Sequence, residues 1–289
     1  MTAVDTATRV TPAAGALEGT AATTSRRPRA RSTVLGPRAL QVIRWLSPVA
    51  AIVLWQVASA TGFLDERTLA SPVQLAGTAR ELLESGQLQE AVAVSARRAA
   101  IGFLLGAAVA IALGTVVGLS GLGDAVIDPL VQMLRTLPLF GLVPLFIIWF
   151  GIKEEPKIYL VALFVVVPLY LNLVAALRGV DPDLREAAQA LRLDRLERLR
   201  HLYVPAVLPG VLVGLRQALG MAWIALIVAE QVNAGAGLGY LINNARDFLQ
   251  TDIIVVGLLC YAVLGLLTDS AVRLLERRAL RWRDEGRTA

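Results

Sequence analysis

Six long apolar stretches, separated by charged segments, leave this chain few ways to fold. They lie near residues 42–60, 99–120, 127–150, 158–177, 207–229 and 253–272. Each approaches or exceeds the roughly 20 residues that carry a helix across a bilayer at about 1.5 Å per residue. No water-soluble core could bury them all, since 56% of the 289 residues are hydrophobic and mean hydropathy is +0.61. In lipid the backbone must satisfy its own polar groups, and a helix does so within one segment. The expected fold is therefore all-α, a polytopic membrane bundle of about six transmembrane helices.

Orientation follows from the basic residues, because short loops rich in Lys and Arg stay cytoplasmic. With the N-terminus inside, 19 of the 28 Lys and Arg fall on the cytoplasmic side: the first tail, residues 178–206 and residues 273–289. Seven fall outside, namely Arg67, Arg80, Arg97, Arg98, Lys153, Lys157 and Arg246, and Arg135 and Arg216 lie within spans. Both termini are thus expected in the cytoplasm of a multi-pass protein of the cell (plasma or inner) membrane. The same bias produces the pI of 9.9 and makes nucleic-acid binding unnecessary; anionic lipid headgroups suit the basic clusters at 26–31 and 277–283 better.

Residues 1–40, rich in Ala, Thr, Arg and Pro, have no apolar periodicity and read as a disordered basic cytoplasmic tail. Residues 41–275 form the transmembrane domain and 276–289 a second basic tail. Ala58-Ser59-Ala60 has the small residues of a cleavage site, but the basic region before it is too long for a signal peptide. Cys260 is the sole cysteine and His201 the sole histidine, so the spans offer no catalytic triad, disulfide or metal-ligating cluster.

Small residues recur every fourth position in the second span, at Gly102, Gly106, Ala110, Gly114 and Gly118, and again in the fifth, at Gly210, Gly214, Ala218 and Ala222. Such faces let helix backbones approach closely in lipid. The sequence leaves open whether they meet each other or another subunit. In the third span Pro138 and Pro144 flank Gly141, and each proline removes a helix hydrogen bond, so a kink or break is expected there. Irregular backbone at membrane depth is tolerated where it is buried or lines a cavity. Gln132, Arg135, Pro138, Asn172, Arg216, Gln217 and Glu230 are accordingly the candidate residues of a translocation path. Arg135 could instead snorkel to the cytoplasmic face, and Arg216 could pair with a carboxylate.

The cytoplasmic segment 181–209 carries most of the functional information. Asp181 is placed to cap a helix starting at Pro182 and running to about Leu191. Asp194 and Glu197 have the spacing of a capping box for a second helix, with Leu196, Leu199 and Tyr203 on one apolar face. Two short helices at an angle make a docking knob. Glu186-Ala187-Ala188, with Pro205 nineteen residues after the Glu, resembles the EAA loop of binding-protein-dependent ABC importer permeases. The likeness extends over roughly 45–283 and is nearest to the aliphatic sulfonate, taurine and nitrate branch, sulfonate permeases first. It is carried also by Gln132-Met133-Leu134-Arg135, Trp149-Phe150-Gly151-Ile152, Val228-Ala229-Glu230, Gly237-Leu238-Gly239-Tyr240-Leu241 and the run from Asn244 to Asp252.

The resemblance implies a permease of an ATP-driven importer that forms the path for a small anionic solute. It implies two copies of the permease, two cytoplasmic ATPase subunits and an extracytoplasmic solute-binding protein. The chain would bind no cofactor, ATP being used by the ATPase. Glu186, Ala187, Ala188, Arg192, Leu196, Leu199 and Pro205 would form the ATPase-coupling surface. Arg192 stands where the family usually has glycine, at the bend between the two short helices; there a left-handed conformation would strain an Arg by about 1 kcal/mol or more, so the bend is expected to open or shift by a residue.

A P-loop ATPase is excluded because neither Lys153 nor Lys157 follows Gly as phosphate binding requires. The glycines at 235–239 have no strand-helix-strand context and read as a loop or short external gate. A secondary transporter or channel would suit the helices but leave the knob unexplained.

Overall fold

The computed structural model describes residues 37–65 and 68–280. Among them the regular elements are all helical: α1 (Pro37–Ala60), α2 (Pro72–Glu84), α3 (Gln87–Leu119), α4 (Gly121–Thr136), α5 (Val143–Phe150), α6 (Glu155–Arg178), α7 (Pro182–Ala190), α8 (Arg195–Arg198), α9 (Val204–Asn233), α10 (Leu238–Asp247) and α11 (Thr251–Ala279). A 3-10 turn at Leu139–Leu142 precedes α5 and a π-turn at Leu199–Tyr203 precedes α9. By its contacts the chain divides into residues 1–49 and 50–289. The described part of the first unit is the beginning of α1, which starts at Pro37 and so takes in the last four residues expected as tail. The rest of that tail, and residues 281–289 of the second, lie outside the described residues. The helix bundle belongs to the second unit.

The chain is a polytopic membrane protein, and among the described residues length and composition alone identify four or five spans. Four helical segments qualify (α3, α6, α11 and the continuous run Arg195–Val232), and the pair 121–136 and 139–150 makes a fifth if its two bent halves are counted together. Within α1 the apolar part whose side chains are described is Leu46–Ala60. α3 begins well before the expected residue 99 and takes in Arg97 and Arg98, read from the sequence as loop charges. Helix α2 was not expected at all; its apolar side is short, with Leu75 and Leu82 buried.

Helix α6 is the axis of the bundle, with 67% of its most apolar stretch buried against 17% for α11. Both small-residue stripes pack on it, which answers the question the sequence left open. Along α3, a Cβ on Gly102 would stand 2.7 Å from the Val161 side chain, and one on Gly114 would stand 2.8 Å from that of Leu173. Gly106 and Gly118 meet Val165 and Leu177 in the same register, so α3 and α6 run parallel and in close contact. From the other side Gly210 and Gly214 of α9 meet Ala176 and Asn172, 2.7 and 2.8 Å from where a Cβ would lie. The residues of α9 ascend as those of α6 descend, so this pair is antiparallel. These approaches replace the hydrophobic effect as the source of cohesion within lipid.

The expected break in the third span is present and its cause is local. Leu137, preceding Pro138, is extended (φ −69°, ψ 141°), as the steric demand of a following proline favours. The chain then makes the 3-10 turn, with the Gly141 N–H donating to the Pro138 carbonyl at 2.7 Å, and the two helical halves meet at 92°. Pro144 does not add a second break. It sits in the first turn of α5, where its missing N–H has no partner to lose.

Candidate coupling loop and translocation groove

The knob between α6 and α9 is built largely from local signals. Asp181 Oδ1 accepts from the Asp183 N–H at 2.9 Å and starts α7. Asp194 and Glu197 form a reciprocal capping box, Asp194 Oδ1 accepting from the Glu197 N–H at 2.6 Å and Glu197 Oε2 from the Asp194 N–H at 2.9 Å. The bend between them neither opens nor shifts: Arg192 takes the left-handed conformation itself, at φ 53°. The hydrogen bonds from the N–H of Arg192 to Gln189 O (2.9 Å) and from that of Leu193 to Ala188 O (3.1 Å) close the end of α7, and these bonds hold the turn against the strain. Arg185 anchors the loop to the end of α6, donating to the carbonyls of Val180 and Arg178.

This geometry sorts the expected coupling residues. Ala188 is buried, whereas Glu186, Ala187 and Arg192 face outward. Leu191 and Leu196 are 73% and 71% exposed, and Leu199 is at the edge of exposure. Tyr203 turns inward with Leu202 onto Leu173, Leu177, Val180 and Val207. Pro205 lies in the first turn of α9, directly after the π-turn. From Arg195 to Val232 the path is one helical rod of 38 residues, so the knob's second helix is continuous with a bundle helix.

Four of the seven candidate path residues line one groove. Arg135, Pro138, Arg216 and Gln217 border a cavity of about 680 Å³, walled on its apolar side by Leu139, Phe140, Phe164, Met221 and Ile224. Arg216 reaches α11, where its Nη2 donates to Glu276 Oε2 at 2.5 Å and its Nε lies 3.4 Å from Asp269 Oδ1. Its charge is thereby balanced, while Arg135 makes no ion pair among the described residues. Asn172 stands behind the groove, donating to Gln217 Oε1 at 2.9 Å and to the Pro168 carbonyl at 2.8 Å. Gln132, one turn before Arg135, is half-buried and off the groove lining. A second cavity of equal volume, between Trp55, α2, α3 and α11, is lined by apolar side chains apart from Trp55 and Cys260 and has no charged group to hold an ion.

Glu230 is elsewhere. It lies near the far end of α9 in a buried cluster that sequence reasoning missed. Its carboxylate accepts from Ser95 Oγ (2.8 and 2.9 Å), Arg98 Nη1 (2.7 Å), Tyr261 OH (2.8 Å) and the Gly239 N–H (2.9 Å). Arg98 in turn donates from Nε and Nη2 to the two oxygens of Glu154 (2.5 and 2.7 Å) and from Nη1 to the Ala236 carbonyl (2.6 Å). The side chains of Arg98 and Glu230 are 2% and 0% exposed, that of Glu154 is 45% exposed. The Arg98 guanidinium holds the Glu154 carboxyl below the ordinary carboxylate range, against the opposing pull of partial burial. The glycines at 237 and 239 owe their place to this cluster. A Cβ on Gly237, already at φ 107°, would stand 2.6 Å from Glu230 Oε1, and one on Gly239 would strike Glu230 itself.

The profile of the family described as binding-protein-dependent transport system inner membrane component matches residues 98–281. The chain belongs to this family. An aliphatic sulfonates transport permease protein of Bacillus subtilis is 43% identical over 239 residues, covering 83% of this chain and 87% of the relative. Its namesake in Escherichia coli is 44% identical over 243 residues, 84% of this chain and 92% of the relative. The taurine transport system permease protein of Escherichia coli is 33% identical over 198 residues, 68% of this chain and 72% of the relative.

Binding-protein-dependent permeases are transport components, not enzymes, and work with an ATPase and a solute-binding protein. The matched region begins at Arg98 and contains the knob, the groove and, apart from Ser95, the buried cluster. The Arg98-Glu154-Glu230 cluster had one signal in the sequence: an Arg at the start of an apolar run is costly to leave unpaired in lipid. That signal named no partner, since Arg98 and Glu230 are 132 residues apart.

Proposed function

We propose that this chain is one of two identical permease subunits of an importer in the cell membrane, with both termini cytoplasmic, and that it passes a small organic anion of the aliphatic sulfonate type. The observation that carries this reading is the knob: outward-facing Glu186 and Ala187 beside bare Leu191 and Leu196, the last of these on the helix that runs on into the bundle. An ATPase subunit docks there, one per permease, with Glu186 supplying a charge-assisted hydrogen bond. It binds and hydrolyses the ATP; the permease itself holds no cofactor. Docking and release of the ATPase move α8 and α9 together, and the groove bordered by Arg135, Arg216 and Gln217 opens alternately to the two sides.

The groove supports the substrate class. Arg135 supplies a positive charge that is not internally balanced, and Phe140, Phe164, Met221 and Ile224 supply an apolar wall for a short alkyl chain. The sulfonate and taurine permeases named above support the same choice. The test is uptake of a radiolabelled short alkanesulfonate into vesicles holding the chain, its ATPase and a binding protein. ATP-dependent uptake is expected. Uptake driven by an ion gradient with no ATPase present would instead make the chain a secondary transporter.

A further inference from the structure

We infer that the Arg98-Glu154 pair is a separable clasp that positions the broken span, and through it the groove wall, during each transport cycle. The inference rests on the importer reading. Two arms extend from Arg98, and they differ in a way that decides which can open. The arm to Glu230 is dry, and the four donors on that carboxylate, Ser95 Oγ, Arg98 Nη1, Tyr261 OH and the Gly239 N–H, fill its acceptor sites. Taking it apart would strand a charge in a water-free site. The arm to Glu154 ends on a carboxylate that is 45% exposed, so water can replace the guanidinium there. Lys157 also stands ready, its Nζ 3.5 Å from Glu154 Oε1. On release, Arg98 keeps Glu230 and the Ala236 carbonyl, and Glu154 keeps a cation.

The two arms also lead to different elements of the bundle. Glu230 lies on the rod that begins in the knob at Arg195, and 35 residues of helix place it roughly 50 Å from the docking surface. Glu154 lies in the link between α5 and α6. Helix α5 leads back through the 3-10 turn to Leu139 and Phe140, which wall the groove. A displacement at this end of the rod pulls on the Arg98 side chain through Glu230 while α3 itself stays packed on α6, and the Glu154 arm, the one that water can replace, is the one that parts. Glu154 is therefore a positioning residue: intact, the clasp holds α5 and the groove wall; parted, it releases them.

The experiment uses the full assembly of permease, ATPase and binding protein in proteoliposomes, and compares ATP hydrolysis with and without binding protein. Glu154→Gln is expected to raise hydrolysis in the absence of binding protein by about fivefold, the range of a typical coupling energy between sites, and to lower the solute carried per ATP. Glu154→Asp is expected to restore most of the coupling. Lys157→Gln, which removes the alternative partner, is expected to lower binding-protein-independent hydrolysis instead. The clasp is overturned if Glu154→Gln binds ATPase normally yet hydrolyses and transports like the parent, or if it only reduces the yield of assembled complex, as a purely structural residue would. Failure of the parent chain to retain any ATPase would overturn the importer reading underneath.

Discussion

The two ends of the α9 rod are built on opposite plans. At one end Arg98 and Glu230 are buried, with Glu154 at the rim, in a network of hydrogen bonds drawn from α3, α9, α11, the start of α10 and the link before α6. At the other end the knob is held by local caps and a small apolar root, and leaves Leu191 and Leu196 bare. A region meant to hold its own helices together satisfies its polar groups internally. On the proposed reading, the region that meets the ATPase leaves its surface unfinished. The rod between them is stiffened by close packing on α6, so a change at the unfinished end can reach the finished one.

That contrast can be broken at the buried end first. Glu230→Ala leaves Arg98 without its dry partner and Ser95, Tyr261 and the Gly239 N–H without an acceptor; the expected loss is about 3–5 kcal/mol, read as a large fall in thermal unfolding temperature of the detergent-purified protein. A parent-like melting curve would mean that the cluster is ornamental. Next in size is the packing along the rod's neighbour. Gly106→Leu drives a side chain into the Ala162 carbonyl and Val165, with an expected penalty of about 1–3 kcal/mol for overpacking. Leucine at Gly220 of α9, where a Cβ would meet nothing, is the matched control and should melt like the parent.

These contrasts also mark what the sequence could and could not disclose. The small-residue stripes, the capping box at Asp194 and the proline break at Pro138 were legible because each is written within one or two helical turns. The partner of the stripes was not, since periodicity names a face and not its neighbour; both turned out to face α6. The cluster was least legible of all. Arg97 and Arg98 read as external loop charges because the hydropathy run starts after them, and nothing nearby in sequence points to Glu154 or Tyr261. Arg192 was half legible: the strain was foreseen, but the structure keeps the left-handed turn rather than relaxing it. Of the proposed path residues, Arg135, Pro138, Arg216 and Gln217 share the groove, while Glu230 belongs to the cluster.

At the open end the expected stability effects are smaller. Arg192→Gly removes a left-handed Arg and should stabilise the knob by about 1 kcal/mol, visible as slower proteolysis at the loop. ATPase retention should be unchanged; its loss would mean that the Arg192 side chain is itself part of the docking surface. The smallest effect is a pH response. Because Arg98 depresses the Glu154 carboxyl below its ordinary value of 4.5, the pair stabilises the folded protein above that value. The contribution is lost as pH falls through the depressed value of the folded state. The unfolding temperature of the parent should therefore drop more steeply than that of Glu154→Gln as pH is lowered from about 5 towards about 3, by a modest margin since the carboxylate is half exposed. Parallel curves would detach Glu154 from Arg98 in solution.

The central claim is that an exposed knob at one end of a stiff rod receives the force of an ATPase. Glu186→Lys tests it most directly, because Glu186 faces outward from the knob. With the variant inserted in the membrane at parent levels, ATPase retained on affinity-purified permease and ATP-dependent alkanesulfonate uptake are both expected to fall about tenfold or more, the scale of a lost charge-assisted hydrogen bond. Retention and uptake equal to the parent's would contradict the account.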